Sequence, residues 1–304
     1  MNSDRFLHTI DGISTIAGKA AAWLVMGLMV LVCAEVFKRY ILNMPTAWIF
    51  DASNMLYGAA FMLGGAYTLA QNAQRHFHRY GTTRETLGWI ALNQRANAAL
   101  NPTAIYRDPM TMDDYYAARM ITTPFGLYDC DIPCDGSIAV IVSAADAAKD
   151  LRQMPVRVES VGTQILEPVE WDQGTITHEP QVLGPCAHLW SRSSLTQADV
   201  DLALLYDGFS FNCLSWLEGL GFCAIGEGGD FVAGGDRIRL GGELPINTHG
   251  GQLSHGRTHG FGFFHEAVTQ LRGHGGARQV QGAEVAVVTN GGLTPGGAML
   301  LTTS

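Results

Sequence analysis

Two uncharged apolar stretches stand near the front of the chain, and a different rhythm follows them. Residues 20–34, AAAWLVMGLMVLVCA, carry no charge, and the run reaches back to Ile13 with Lys19 as its one interruption. A run of about 22 such residues is long enough to cross a hydrocarbon core of roughly 30 Å. A second uncharged run, ASNMLYGAAFMLGGAYTLA, covers residues 52–70. Its Gly58, Ala59, Gly64, Gly65 and Ala66 are small enough to let membrane helices approach closely. Between the runs KRYILNMPTAW supplies a turn, with Pro45 as breaker and Tyr40 and Trp48 suited to a membrane interface. No signal-peptide cleavage site follows the first run and a second span does. The pattern predicts an α-helical transmembrane hairpin over residues 1–73.

From residue 74 onward the pattern is that of a soluble α/β domain. SIAVIVS (137–143), VRVESVG (156–162), LALLYD (202–207) and AEVAVVT (283–289) read as buried strands. Capping signatures punctuate them, in which a hydroxyl accepts from free backbone N–H groups and an acid follows three residues on. Thr82 with Glu85 opens a helix to about Leu100, Thr111 with Asp114 a second, and Ser143 with Asp146 a third. Strands alternating with helices imply a layered fold with helices on the faces of a sheet. Residues 165–195 are the least periodic and read as loop.

Charge narrows the choice of partner. The chain carries a net charge of −9. Residues 1–73 are neutral, with Arg5, Lys19, Lys38 and Arg39 matching Asp4, Asp11, Glu35 and Asp51, so the acidity belongs to the second part. An acidic body without a basic stripe excludes nucleic acid. The cysteines at 33, 130, 134, 186, 213 and 223 make no disulfide framework, and Cys130 with Cys134 lacks the second pair a zinc ribbon needs. They read as reduced thiols of a cytoplasmic domain.

Candidate chemistry concentrates in NTHGGQLSHGRTHGFGFFHE, residues 247–266, where His249, His255, His259 and His265 alternate with five glycines. Histidines four apart on a helix can chelate a metal. Here Gly250, Gly251, Gly256, Gly260 and Gly262 break the helix, and no carboxylate or cysteine completes a ligand set, so no metal is expected. Glycines permit left-handed turns and let backbone N–H groups approach a substrate. Histidines and an asparagine beside such a turn suit proton transfer and oxyanion stabilisation. A second glycine stretch, residues 226–242, lacks the strand–glycine–helix order of a phosphate loop and reads as surface. Trp89, Trp190, Trp216 and Phe209 read as core.

The same segment resembles the thiolases, whose N-x-x-G-G and G-H-P-x-G stretches are matched by NTHGG and HGRTHG. RYGTTRETLGWIALNQRANAALNP, LYDCDIPCDGSIAVIVS, LLYDGFSFNCLSWLEGLGFCAIGEGG and QVQGAEVAVVTNGGLTPGGAMLLT carry the resemblance across residues 74–304. The nearest branch is that of the sterol-carrier-protein-type thiolases and lipid-transfer-protein aldolases. It implies a partial thiolase-like α/β fold with a mixed sheet, and acyl transfer or retro-aldol cleavage on acyl-CoA thioesters. No tightly bound cofactor is implied, since coenzyme A arrives with the substrate. The thioester-binding Asn of the family falls on Tyr206, the G-H-P histidine on Arg257 and the late cysteine near Asn290. The implied catalytic residues are therefore Tyr206, Asn247, His249 and His259, with Asp207, Gly250, Gly251 and Arg257 on the substrate. Arginine stays protonated and cannot replace the histidine as base. The region that carries the family's cysteine nucleophile has no counterpart here, because Cys33 lies in an apolar run. Acyl-CoA activity thus implies completion by a thiolase half or a second copy. Aldolase relatives also pair with a small zinc-containing protein.

Residues 6–73 resemble the small membrane subunit of TRAP-type transporters, on EVFKRYILNMPTAWIFDASNMLYG and FMLGGAYTLAQNAQ. The later helices of such a subunit are absent. The implied location is the inner membrane, held in the lipid bilayer with the soluble domain facing the cytoplasm. Two alternatives remain open: a transporter-associated membrane protein, and an inactive gene-fusion product.

Overall fold

The computed structural model describes residues 23–24, 26–42, 44, 46–148, 151–164, 188–291 and 296–303. It divides into two units, Met1–Gln71 and Asn72–Ser304.

In the first unit residues 26–40 are helical, and after a short turn the helix Ala47–Tyr80 begins and runs on into the second unit. Charged side chains pin that turn. Glu35 accepts from the Thr46 amide at 3.1 Å and from Arg39 at 3.0 Å, while Lys38 donates to Thr46 Oγ1 at 2.8 Å. Trp23, Met29, Val30, Val36 and Phe37 are exposed. Among the described residues no helix is long and apolar enough to cross a membrane. Asn54, Ser53, two tyrosines and several glycines dilute the 52–70 run, and half of the Ile13–Ala34 run lies outside the described residues.

The second unit is built on a mixed sheet of order β3-β6-β5-β4. Its strands are β3 (Arg157–Gln164), β4 (Leu202–Leu204), β5 (Val285–Asn290) and β6 (Gly296–Thr302). β4 and β5 are parallel, and the other pairs antiparallel. A separate two-stranded piece joins β1 (Met120–Thr122) to β2 (Phe125–Gly126). β5 reads VAVV rather than alternating because it is covered on both faces. On one face lies the helix Phe261–Leu271. It presents Phe263, Ala267 and Leu271, four residues apart, to Leu202, Leu204, Ala286, Val288 and Leu301. Each large apolar side chain so buried contributes about 1.5–3 kcal/mol. The helix Ser210–Gly219 is buried along its whole length and packs against the helix Arg84–Ala99.

Three sequence expectations change. The N-cap of Arg84–Ala99 is Thr83; Thr82 instead bonds His76 Nδ1 at 2.7 Å. The LALLYD strand stops at Leu204, because the Leu205 amide donates to Asn247 Oδ1 at 2.7 Å and the Tyr206 amide to Thr289 Oγ1 at 2.8 Å. SIAVIVS is no strand and is not buried: residues 137–143 join no sheet, with Ile141 91% and Val142 82% exposed. The Thr111–Asp114 box is present, its hydroxyl accepting from Asp114 at 3.2 Å.

Candidate active site

The site grows from the place where β4 ends. Asn247 sits at φ 47°, in the left-handed region that asparagine tolerates better than most residues. Its amide donates to Ala203 O at 3.0 Å and Ile246 bridges Ala203, which continues the sheet beyond β4. Its carboxamide then clamps the turn, accepting from Leu205 N and donating to Leu205 O at 2.8 Å. Asp207 lies at the centre of this turn, fully buried. It accepts from the Gln252 amide at 2.7 Å, Asn247 Nδ2 at 3.1 Å and Gln94 Nε2 at 3.3 Å. Burial outweighs these donors and pushes its carboxyl up to about 7. Gly251, at φ 60°, passes so close that a Cβ there would overlap the Asp207 carboxylate. That is the local reason for the NTHGG pattern.

Gly251–His255 forms one π-helical turn, and the chain then crosses to the helix Phe261–Leu271. A buried bridge fixes that helix: Thr248 Oγ1 donates to Glu266 at 2.7 Å, and Arg278 pairs with Glu266 at 3.0 Å. Above it lies a cavity of about 410 Å³, lined by Pro133, Cys134, Gly136–Ile138, Arg257–His259 and Phe261. Residues 130–132 thread between the two site loops. Cys130 bridges Phe209, the Asp131 amide donates to Gly208 O at 3.1 Å, and Ile132 O accepts from the Arg257 amide at 2.8 Å. The Asp131 carboxylate faces Arg257 Nε at 3.6 Å, and burial raises it to about 6 against the pull of that guanidinium.

The proton-handling groups have distinct electrostatics. Burial raises the Tyr206 phenol, keeping it protonated as a donor. Burial, with neighbouring His255, holds His249 well below the ordinary imidazole range, so it is neutral. His259, exposed on the cavity rim at φ 50°, is lowered by burial and by Arg257. Tyr206 and His249 both pack on Phe263, at 6.1 and 5.3 Å between ring centres. Among the described residues His249 Nδ1 is buried without a hydrogen-bond partner, while the Gln252 side chain lies against the Tyr206 phenol. A side chain added at Gly262 would lie 3.6 Å from His249 Nε2 and crowd Thr258 Oγ1 on the cavity wall. Gly262 thus lies between the cavity-wall residue Thr258 and the His249 imidazole.

A profile of the thiolase C-terminal domain-like family matches residues 186–301, and one of the DctQ component of tripartite ATP-independent periplasmic transporters matches residues 28–75. The chain is 40% identical to a 17-hydroxy-3-oxo-4-pregnene-20-carboxyl-CoA lyase of Mycobacterium tuberculosis, over 78% of this chain and 62% of the lyase. It is 38% identical to a steroid side-chain-cleaving aldolase of Thermomonospora curvata, over 68% of this chain and 54% of that protein. An acetyl-CoA acetyltransferase of Methanothermobacter thermautotrophicus is 33% identical, over 88% of this chain and 71% of the relative. The chain belongs to the thiolase-like family. The solved Ltp2-ChsH2(DUF35) aldolase superposes with TM-score 0.71 at 34% identity, over 78% of this chain and 63% of that one. The chain thus spans between half and two thirds of the steroid-cleaving relatives it matches.

Within this thiolase-like chain the expected residues divide into three places. Arg257 and His259 line the cavity; Tyr206 and His249 meet on Phe263; Asn247 and Asp207 are interior, with Gly251 against the Asp207 carboxylate and Gly250 against Ala98. Sequence reasoning missed Asp131, Gln252 and Phe263. Asp131 stands in LYDCDIPCDG among other acids, and only the threading of 130–132 singles it out. Gln252 and Phe263 carried a usable signal, since both flank the histidine-glycine stretch. Asn290, at the late-cysteine position, packs against Gly260, so no thiol enters from β5.

Proposed function

We propose that the thiolase-like unit cleaves a carbon–carbon bond in a β-hydroxyacyl-CoA thioester by a retro-aldol reaction. The observation that carries this is Tyr206, a phenol kept protonated by burial, which stands at the position of the family's thioester-binding asparagine and packs on Phe263 together with the neutral His249. In this reading a neutral imidazole, His259 on the rim or His249 behind Gly262, takes the hydroxyl proton. The O–H electrons form a carbonyl, the α–β carbon bond breaks, and its electron pair passes to the thioester as an enolate. Tyr206 donates to the enolate oxygen. The imidazolium returns its proton to the α-carbon, giving a ketone and a shortened acyl-CoA. The steroid-cleaving names of two relatives support a steroid side chain as the acyl group. The double name of the Ltp2-ChsH2(DUF35) structure supports work in an assembly with another subunit.

The test is acyl-CoA release from a β-hydroxy steroid side-chain CoA ester by the full chain co-expressed with the part of the family it does not span. Tyr206→Phe should lower the rate at least 100-fold with little change in KM. Equal rates for the variant and the parent would end the retro-aldol reading.

The front unit supports a tether at the inner membrane, with the enzyme unit in the cytoplasm where CoA is available. The match to the DctQ component and the exposed Trp23, Met29, Val30 and Phe37 favour this. A chain that stays in the supernatant when membranes are sedimented would refute it.

A further inference from the structure

Residues 137–143 read as a strand, yet they form none. SIAVIVS carries no charge and is apolar at five successive positions, Ile138 to Val142, a pattern of strands covered on both faces rather than one. In the structure the segment belongs to no strand, and its backbone makes no cross-strand hydrogen bond among the described residues. Val140, Ile141 and Val142 are 47, 91 and 82% exposed. An apolar segment whose backbone groups find no partner among the described residues is a template for strand addition. Its near end is also part of the cavity wall, through Gly136, Ser137 and Ile138, and Phe261 on the same cavity is 52% exposed. Whatever pairs with 137–143 therefore also roofs the cavity.

We propose that residues 137–143 are the docking strand for a second polypeptide, one that carries the part of the thiolase-like fold that this chain does not span. Two observations select this occupant over a second copy. The run needs cover on both faces, and so a sheet with its own flanking layer rather than a lone edge. And more than a third of the lyase and of the solved aldolase chain has no counterpart here, since the matches cover 62% and 63% of them. The inference rests on the thiolase-like reading of the site but not on its chemistry.

The experiment uses the full chain and, as probe, a polypeptide comprising the part of the Mycobacterium tuberculosis lyase that this chain does not match. Hydrogen exchange at residues 138–143 should be fast in the chain alone and slow at least 100-fold when the probe is added. Ile141→Lys should weaken capture at least tenfold, while Val158→Lys, exposed on β3, leaves it unchanged. Exchange unaltered by the probe, or capture indifferent to Ile141→Lys, overturns the proposal. So does protection in the chain alone that rises with its concentration, which would make a second copy the partner. Capture is scored without substrate. Probe capture without CoA-ester cleavage would cost the retro-aldol reading and keep the docking strand. Cleavage by the Ile141→Lys chain alone would do the reverse.

Discussion

Along residues 245–262, buried side chains hold the turns of the cavity wall in place, while along residues 135–143 the opposite wall has no comparable support. Asn247 clamps Leu205 from both sides, Asp207 gathers three donors, and Glu266 with Arg278 ties down the following helix. The other wall is held at Cys134, whose thiol donates to Arg257 O at 3.3 Å, and beyond it Val140, Ile141 and Val142 face solvent. One wall is organised by buried hydrogen bonds; the other carries apolar side chains that no described residue covers. The difference teaches that the two walls are held by different means, and substitutions should have sharply different costs on the two sides.

The largest effect is expected at Gly251. Alanine there must hold φ 60° and place a Cβ against the Asp207 carboxylate and Gln94. Left-handed strain and overpacking together cost about 2–5 kcal/mol. Urea unfolding of Gly251→Ala should show it. A loss below about 1 kcal/mol would mean that this wall yields, and the contrast with residues 135–143 would dissolve.

Next is a pH effect at Asp207. Its folded carboxyl is raised to about 7, above the ordinary value near 4. Between these values the folded chain keeps a proton that the unfolded chain has released, so raising the pH weakens the fold. The slope approaches about 1.4 kcal/mol per pH unit for one proton. Asp131, raised to about 6, adds the same sign below that pH, and the lowered histidines act oppositely. Comparing Asp207→Asn with the parent cancels those other groups. The parent should lose stability relative to the variant from about pH 4 to 7, and parallel curves would contradict the buried-proton reading.

A smaller effect, with opposite signs in stability and activity, is expected at His249. Its Nδ1 is buried without a partner among the described residues, which costs about 1–3 kcal/mol. His249→Phe keeps the packing on Phe263 and His255 and should raise stability by about 1 kcal/mol. The completed enzyme should lose cleavage at least 100-fold. A variant that is less stable and still active would place His249 outside the chemistry.

How much of this was legible from sequence depends on whether the cause was local. The Thr111 box and the β5 run are set by nearby residues, and both stand where the pattern put them. NTHGG pointed to the glycine turn, but the partner that explains it, Asp207, lies about forty residues away in sequence. LALLYD ended early for the same reason, its amides being taken by Asn247 and Thr289. Asp131 was illegible because its role comes from pairing with two loops far along the chain. SIAVIVS failed in the other direction. Its composition describes a sheet that the described residues of this chain do not supply.

The smallest effect is expected at Ile141, and its smallness is the point. A buried isoleucine cut to a small side chain costs about 2–5 kcal/mol, through lost transfer energy and the cavity left behind. At 91% exposure Ile141 has little to lose in the chain alone, so Ile141→Ser should change its stability by less than about 0.5 kcal/mol. Leu204→Ala, fully buried in β4, provides the scale and should cost the full amount. Apolar surface of this kind promotes association, so Ile141→Ser should also delay aggregation in light scattering at equal concentration. The same reasoning applies to Phe261, half exposed on the cavity, whereas Phe263 two residues on is buried and behaves as core. If Ile141→Ser destabilised the lone chain as much as Leu204→Ala does, residues 137–143 would already be packed in solution. The two walls would then be alike, and nothing would remain for a partner to cover.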